Sequence, residues 1–113
     1  MDIHITELAG PLTCVRLEGR LDAPGADLIG TRFTASVVAA GRHAVVDMSG
    51  VGFLASMGIR LLISSARGLK AKGSRMVLFG AQEMVAEILS QAGVDQIIDV
   101  AGTEAEAIEL LAS

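Results

Sequence analysis

The first part of the chain alternates between apolar and polar side chains, which is the two-residue period of a β-strand. Residues 3–8 show this alternation and predict a first strand. Residues 12–19 continue with a second run of the same kind, and Gly10 and Pro11 mark a turn between the two. Because the connection is short, the two runs predict an antiparallel hairpin.

After the hairpin the apolar residues recur every three or four positions, which is typical of amphipathic helices. Proline is tolerated in the first turn of a helix, so Ala23-Pro24 can open one, and Gly41, Gly73 and Gly93 fall where helices should end. Thr103 with Glu106 matches a capping box and predicts a last helix. The pattern predicts helices over about residues 23–40, 56–72, 82–92 and 103–111, and strands over 44–48, 75–79 and 96–100.

The element order is therefore β-β-α-β-α-β-α-β-α. This order predicts one α/β domain over residues 1–113, with a mixed central sheet and about four helices packed against it. Residues 49–55 are expected to form a loop between the central strand and the second helix. The residues expected to face the core are Leu28, Ile29, Phe33, Val37 and Ala40 in the first helix, Ile59, Leu62, Ile63, Ala66 and Leu69 in the second, and Val85, Ile88, Leu89 and Ala92 in the third.

Composition and charge argue against several classes of function. The chain carries nine basic and thirteen acidic residues, with a formal net charge of -4, which argues against general nucleic-acid binding. Lys70, Lys72 and Arg75 surround a predicted turn, where solvation is expected. The start of the chain lacks the layout of a signal peptide, and no apolar run is long enough to span a membrane. We therefore expect a cytoplasmic protein without membrane insertion.

Candidate chemistry is sparse. Cys14 is the only cysteine, which excludes an internal disulfide, and its place in a strand predicts a buried small side chain. His4 and His43 are the only histidines, neither has a metal-ligand spacing, and both are expected to be solvated. Residues 50–52, Gly-Val-Gly, lack the third glycine of a dinucleotide fingerprint. We expect no catalytic residue, no metal and no cofactor, unless Asp22, Asp47 and His43 meet in the folded chain.

One segment differs from the rest, where the central strand leads into the second helix at Ser56. The position predicts that Ser56 is the N-cap, with its hydroxyl accepting a first-turn N–H. A helix N-terminus also offers free N–H groups and a partial positive charge to a phosphate. The capping and the phosphoacceptor interpretations of Ser56 are compatible.

The residues after Ser56 allow two interpretations each. Gly58 in the first turn permits close approach of another backbone, either a partner's or the chain's own. Met57 and Leu61 lie off the predicted core face, and they form either a partner surface or a contact with a neighbouring helix.

The whole chain resembles a STAS domain, the type found in bacterial anti-sigma factor antagonists. Residues 19–22, Gly-Arg-Leu-Asp, are similar to the family's Gly-x-Leu/Ile-Asp after the second strand, and Val45–Ser49 is similar to its central strand. Phe53–Ile59 resembles the family's phosphorylation segment. Residues 92–94 and 97–98 fit its later Gly-Leu and strand signature.

The resemblance implies a non-catalytic switch. The unmodified protein would bind a serine-kinase anti-sigma factor with a histidine-kinase-like ATPase fold, and phosphorylation of Ser56 by that kinase would release it. A serine phosphatase would reset the switch, and ATP and magnesium would belong to the partner. The resemblance implies these partner-binding residues around Ser56: Asp22, Ala55, Met57, Gly58, Arg60 and Leu61.

Two positions depart from better-known members, which have Asp before the acceptor and often Ser or Thr after it. This chain has Ala55 and Met57 there. The alternative function is a constitutive STAS interaction subunit of a transporter, a lipid-transport assembly or a signalling complex, without phosphorylation.

Overall fold

The strands form one mixed sheet. A computed structural model describes residues 1–8 and 12–112, so the turn predicted at Gly10-Pro11 lies outside the described residues. The five-stranded sheet has the order β1-β2-β3-β4-β5; β1 pairs antiparallel with β2, and the other neighbours are parallel. This confirms the predicted hairpin and the parallel crossovers. The strands are β1 (Asp2–Leu8), β2 (Leu12–Leu21), β3 (His43–Leu54), β4 (Met76–Phe79) and β5 (Asp99–Ala101).

The helices follow the strands in the predicted order, which confirms the α/β class. Helix α1 continues into a π-helical turn over Ala35–Ala39, and a short 3-10 turn over Val94–Gln96 follows α3. The capping box at the last helix is present in part: Thr103 Oγ1 accepts the Glu106 N–H at 3.2 Å, and Glu106 Oε2 accepts the N–H of Gly102 at 3.1 Å. The helices are α1 (Ala23–Thr34), α2 (Ser56–Ala71), α3 (Glu83–Gln91) and α4 (Glu104–Ala112).

The two faces of the sheet are covered differently because successive strand residues point to opposite faces. Val46 and Leu78 face the larger core, where α1, α2 and α3 pack. Val45 and Val77 face a smaller cluster with Ala107 of α4. Three helices therefore cover one face, and α4 covers part of the other.

The central strand is longer than predicted, and the expected loop over residues 49–55 is wrong. Strand β3 runs on to Leu54 because β2 continues to pair with it, with Leu21 opposite Leu54. Register shifts on either side of Gly19 accommodate the extra residues. Gly50 fits into the pairing because a Cβ there would lie 2.8 Å from the Leu17 carbonyl oxygen.

Several predicted core positions are corrected by the helix phases. Leu28 is 75% exposed, because the large buried side chains of α1 and its π-helical turn are Ile29, Phe33 and Val37, four residues apart. Ala40 and Ala92 follow the last residues of their helices and are exposed. The last strand was predicted too early, because Gln96 ends a 3-10 turn and pairing begins at Asp99.

Helix α2 is rotated relative to the predicted core face. Its buried residues are Gly58, Leu62, Ser65 and Leu69, whereas Ile59, Ile63 and Ala66 pack on the core only in part. The flank that carries Ile59 and Ile63 is therefore partly open to solvent.

Candidate functional site

The candidate site lies at one edge of the sheet, where the parallel strands end and three helices begin. Helix α1 follows β2, α2 follows β3 and α3 follows β4. Because Leu21 pairs with Leu54, the residues that follow them, Asp22 and Ala55, lie side by side. The Ala55 N–H donates to the Leu21 carbonyl at 3.1 Å and ties the start of α2 to the end of β2.

Asp22, predicted to contact a partner, caps α1. Its Oδ1 accepts the Gly25 N–H at 2.9 Å, and its Oδ2 lies 3.3 Å from Arg20 Nε. The hydrogen bond from Gly25, and then the Arg20 contact, hold the pKa of Asp22 below its ordinary value. The Arg20 guanidinium also lies 4.1 Å from the centre of the Phe53 ring. Asp22 and Arg20 are therefore held in place by non-covalent contacts within the chain.

Ser56 lies at the start of α2, but the prediction that it is the N-cap is wrong by one residue. Ala55 holds the cap position with an extended backbone, and Ser56 is the first helical residue. The reason is the length of β3, which keeps the backbone extended through Ala55, whose carbonyl accepts the Ile59 N–H at 3.0 Å. The methyl group of Ala55 cannot accept a hydrogen bond, so no side chain of the described residues caps α2.

The uncapped start leaves N–H donors available beside the Ser56 hydroxyl. The first turn of any helix has N–H groups without an intrahelical acceptor, and here they belong to Ser56, Met57 and Gly58. Ser56 is exposed, so its hydroxyl is accessible from solvent. The sequence pattern placed Ser56 at the start of this helix. In the structure the Ser56 hydroxyl does not cap the helix.

The structure separates the two interpretations of Gly58, Met57 and Leu61. Gly58 is buried, and an added Cβ would collide with the Leu21 carbonyl oxygen and lie 2.6 Å from Leu21 Cγ. This favours internal packing for Gly58. Met57 is 40% exposed, whereas Leu61 is half-buried against the core, so of these two side chains Met57 offers the larger apolar surface.

Arg60 belongs to a row of α2 residues in which sequence reasoning missed Arg67 and assigned Ile63 to the core. Ser56, Arg60, Ile63 and Arg67 are spaced four, three and four residues apart, so they share one side of the helix. With Ile59 and Ser64 they line an open groove of about 470 Å³. The same spacing is visible in the sequence, but the predicted core face assigned Ile59 and Ile63 wholly to the interior.

A second concavity of about 360 Å³ lies on the opposite face of the sheet, next to α4. Three of its lining side chains form a cluster, in which Glu18 Oε1 lies 3.2 Å from His4 Nε2 and 3.6 Å from Arg16 Nε. Cys14 Sγ lies 3.8 Å from Glu104 Oε1, and burial together with this carboxylate raises the pKa of the thiol. Cys14 packs against the smaller core cluster but is only half-buried, so the prediction that it is buried is wrong; its thiol stays protonated at neutral pH.

The groups that could have formed a catalytic cluster lie apart. His43 begins β3, whereas Asp22 lies beyond the other end of that strand. His43, which was expected to be solvated, is partly exposed, and its Nδ1 accepts the Arg75 N–H at 2.9 Å. Asp47 Oδ1 accepts the Ser49 N–H, and Asp99 pairs with Arg75 at 2.6 Å.

Two further properties concern all of the described residues. Over residues 1–8 and 12–112, no three of the His, Cys, Asp and Glu side chains come together as a metal ion would require. Within the same ranges, no helix has both the length and the apolar character needed to cross a bilayer.

Comparison with known structures and families agrees with the fold. An anti-sigma factor antagonist STAS-domain protein from Planctomyces limnophilus superposes with a TM-score of 0.86 at 24% identity, covering 100% of both chains. The anti-sigma factor antagonist SpoIIAA in its unphosphorylated form gives 0.78 at 19% identity, over 98% of this chain and 96% of that one. SpoIIAA of Bacillus in its phosphorylated form gives 0.70 at 20% identity, over 96% and 98%.

A transporter carries a similar domain. The murine anion transporter Slc26a9 matches with a TM-score of 0.75 at 24% identity, over 95% of this chain but only 18% of the transporter. The family model of the STAS domain matches residues 2–107. With almost its whole length matched, this chain belongs to the STAS domain family.

Proposed function

We propose that this chain is an anti-sigma factor antagonist that switches partners through Ser56 and has no catalytic activity of its own. In the unmodified form it binds a serine-kinase anti-sigma factor in the bacterial cytoplasm, and phosphorylation of Ser56 releases it. A serine phosphatase restores the binding form. The observation that carries the proposal is the exposed Ser56 hydroxyl at a helix start that no side chain of the described residues caps.

The physical basis is a difference between the free and the bound chain. In the free chain, a phosphate on Ser56 meets the unpaired N–H groups of the first turn and the positive end of the helix. In a complex, the same phosphate would have to lose its water next to apolar groups such as Met57, which is strongly unfavourable. The phosphate therefore stabilises the free state and opposes the complex.

The test uses the cognate serine kinase, which the proposal places in the histidine-kinase-like ATPase class. Incubation with that kinase and ATP, followed by mass spectrometry, should place one phosphate on Ser56. Ser64 is a matched control because it is also exposed and lies on the same helix, with its hydroxyl donating to the Leu61 carbonyl at 3.2 Å. A phosphate on Ser64, or none at all, would contradict the proposal.

Binding measurements with the same kinase complete the test. Ser56→Ala should bind as the unmodified chain does, whereas Ser56→Asp should bind at least about tenfold more weakly, a loss of roughly 1.4 kcal/mol. Ser90→Asp adds the same charge at an exposed position of α3, outside the groove, and should bind within about threefold of the unmodified chain. Equal binding by Ser56→Ala and Ser56→Asp would rule out the switch.

The match to Slc26a9 supports one other candidate, a constitutive interaction subunit that uses this surface without a phosphate. That function predicts a complex that survives ATP treatment and is lost in Met57→Glu. Met57 is the suitable position because it is exposed, whereas Leu61 packs on the core and its substitution would also affect folding.

A further inference from the structure

Helix α2 has a charge opposite to that of the whole chain. The chain has a formal net charge of -4, yet α2 contains Arg60, Arg67 and Lys70 and no acidic residue. Lys72 follows directly at its C-terminal end. The helix that begins with Ser56 is therefore a basic strip on an acidic protein.

Two of these cations line the open groove and have no carboxylate partner among the described residues. Four other arginines form ion pairs with carboxylates, but none of the ion pairs over residues 1–8 and 12–112 involves Arg60 or Arg67. Both are exposed and lie one on each side of Ile63, whose side chain is half-buried. Seven residues of α-helix separate the two arginines by about 10 Å along the axis.

This arrangement has a specific complement. A guanidinium binds a carboxylate with two parallel hydrogen bonds, so each free arginine favours an Asp or Glu on the facing surface. The partly open side chains of Ile59 and Ile63 favour an apolar side chain between the two acids. A partner helix with two acidic residues seven positions apart and an apolar residue between them would match all three features.

We propose that the groove lined by Ser56, Arg60, Ile63 and Arg67 docks an acidic, apolar-centred helix of the kinase partner. The inference rests on the proposed function and adds the chemistry of the partner's surface. Ser56 lies in the same row, one turn before Arg60, so a phosphate there repels the incoming carboxylates and neutralises the nearest arginine. Phosphorylation would then weaken docking along the groove as well as at Ser56.

The decisive variant reverses both groove charges, Arg60→Glu with Arg67→Glu. Its matched control, Lys70→Glu with Lys72→Glu, changes the net charge by the same amount at the C-terminal end of the same helix, outside the groove. If two exposed ion pairs are lost, kinase affinity should fall about 30-fold in the groove variant and less than about threefold in the control. Thermal unfolding of both variants tests whether they are folded, and equal losses of affinity in two folded variants would overturn the inference.

A second measurement needs no kinase and separates this inference from the proposed function. The probe is an alanine-based helical peptide with two Glu seven residues apart around a Leu, together with a twin in which both Glu are Lys. In NMR titrations of the labelled chain, the Glu peptide should shift the outward α2 amides, the Lys peptide should not, and the groove variant should not respond. Shifts outside α2, or equal shifts with both peptides, would overturn the inference.

The two tests have distinguishable failures. If no kinase binds the unmodified chain, the proposed function fails, and the peptide titration still decides the groove. If the kinase binds but tolerates the groove variant, the inference fails and the switch at Ser56 stands. A single-stranded oligonucleotide serves as a competing polyanion, and tighter binding of it to α2 would overturn the acidic-helix assignment in favour of a nucleic acid.

Discussion

Two strand-to-helix junctions stand side by side in this fold; they share a leucine before the cap position and a glycine in the first helical turn, but they differ at the cap position itself. Residues 21–25, Leu-Asp-Ala-Pro-Gly, lead from β2 into α1, and residues 54–58, Leu-Ala-Ser-Met-Gly, lead from β3 into α2. The leucines pair across the sheet, and each glycine is the third residue of its helix. The cap position holds Asp22 in one junction and Ala55 in the other.

The difference shows how one junction is closed and the other is left open. Asp22 binds the Gly25 N–H and keeps it from any outside ligand. At Ala55 the helix is fixed only through the backbone, by its bonds to Leu21 and Ile59. The first-turn donors beside Ser56 therefore stay available, which is what a site for a phosphate requires.

The largest effect should come from the glycine that both junctions share. An added Cβ would collide with the Arg20 carbonyl oxygen at Gly25 and with the Leu21 carbonyl oxygen at Gly58. These neighbours are backbone atoms that cannot rotate away, so Gly25→Ala and Gly58→Ala should each lower the free energy of unfolding by about 2 to 3 kcal/mol. Urea unfolding measures both.

Gly30 provides the control, because it lies inside α1 and an added Cβ would meet nothing within 4 Å. Gly30→Ala should stabilise the chain by up to about 1 kcal/mol, since alanine favours a helix more than glycine does. If Gly58→Ala behaved like Gly30→Ala, the close approach of α2 to β2 would be incorrect.

The next effect comes from exchanging the caps. Ala55→Asp gives α2 the side-chain acceptor it lacks and should raise the free energy of unfolding by about 1 kcal/mol. Asp22→Ala removes the acceptor from α1 and should lower the midpoint temperature by a few degrees. Failure of Ala55→Asp to stabilise would mean that the start of α2 is not open.

The effect of Asp22 should also depend on pH. Because its pKa is lowered from an ordinary value of 3.8, its stabilising contribution is present above that value and is lost as the pH falls through the folded-state pKa. The difference in midpoint temperature between the unmodified chain and Asp22→Ala should therefore shrink below pH 3.8. A constant difference would show that the carboxylate charge does not contribute.

The sequence predicted the element order because period and turn residues are local signals. It failed where pairing with a neighbour decides the outcome. Gly50 and Gly52 suggested a loop, but β2 runs alongside and extends β3 through both of them. That extension moved the cap from Ser56 to Ala55, so one error in the fold became an error in the site.

The sequence predicted where Ser56 lies along the chain, but it did not predict which side chains surround it. Ser56 was singled out because it lies at the boundary between strand and helix, and the family resemblance suggested the proposed role as phosphoacceptor. Arg67 was missed because the helix phase depends on which residues the sheet buries, and the burial of Gly58 and Ser65 rotates α2. Small buried residues give little hydrophobic signal, so sequence periodicity placed the core face nearer to Ile59 and Ile63.

The smallest effect tests the open junction at Ser56 itself, without any partner. A negative charge on the first helical residue interacts favourably with the positive end of the helix, so Ser56→Asp should raise the free energy of unfolding by about 0.3 to 1 kcal/mol. Ser56→Ala should stay within about 0.5 kcal/mol of the unmodified chain, because the hydroxyl is exposed and does not cap α2. Ser64→Asp, in the helix interior, should be neutral or slightly destabilising, and all three are measured by urea unfolding.

If Ser56→Asp is more stable and still binds the kinase more weakly, its weaker binding cannot result from unfolding, and the charge must be favoured in the free chain and opposed in the complex. A loss of stability in Ser56→Asp would contradict the available donors and would leave the weaker binding without this explanation.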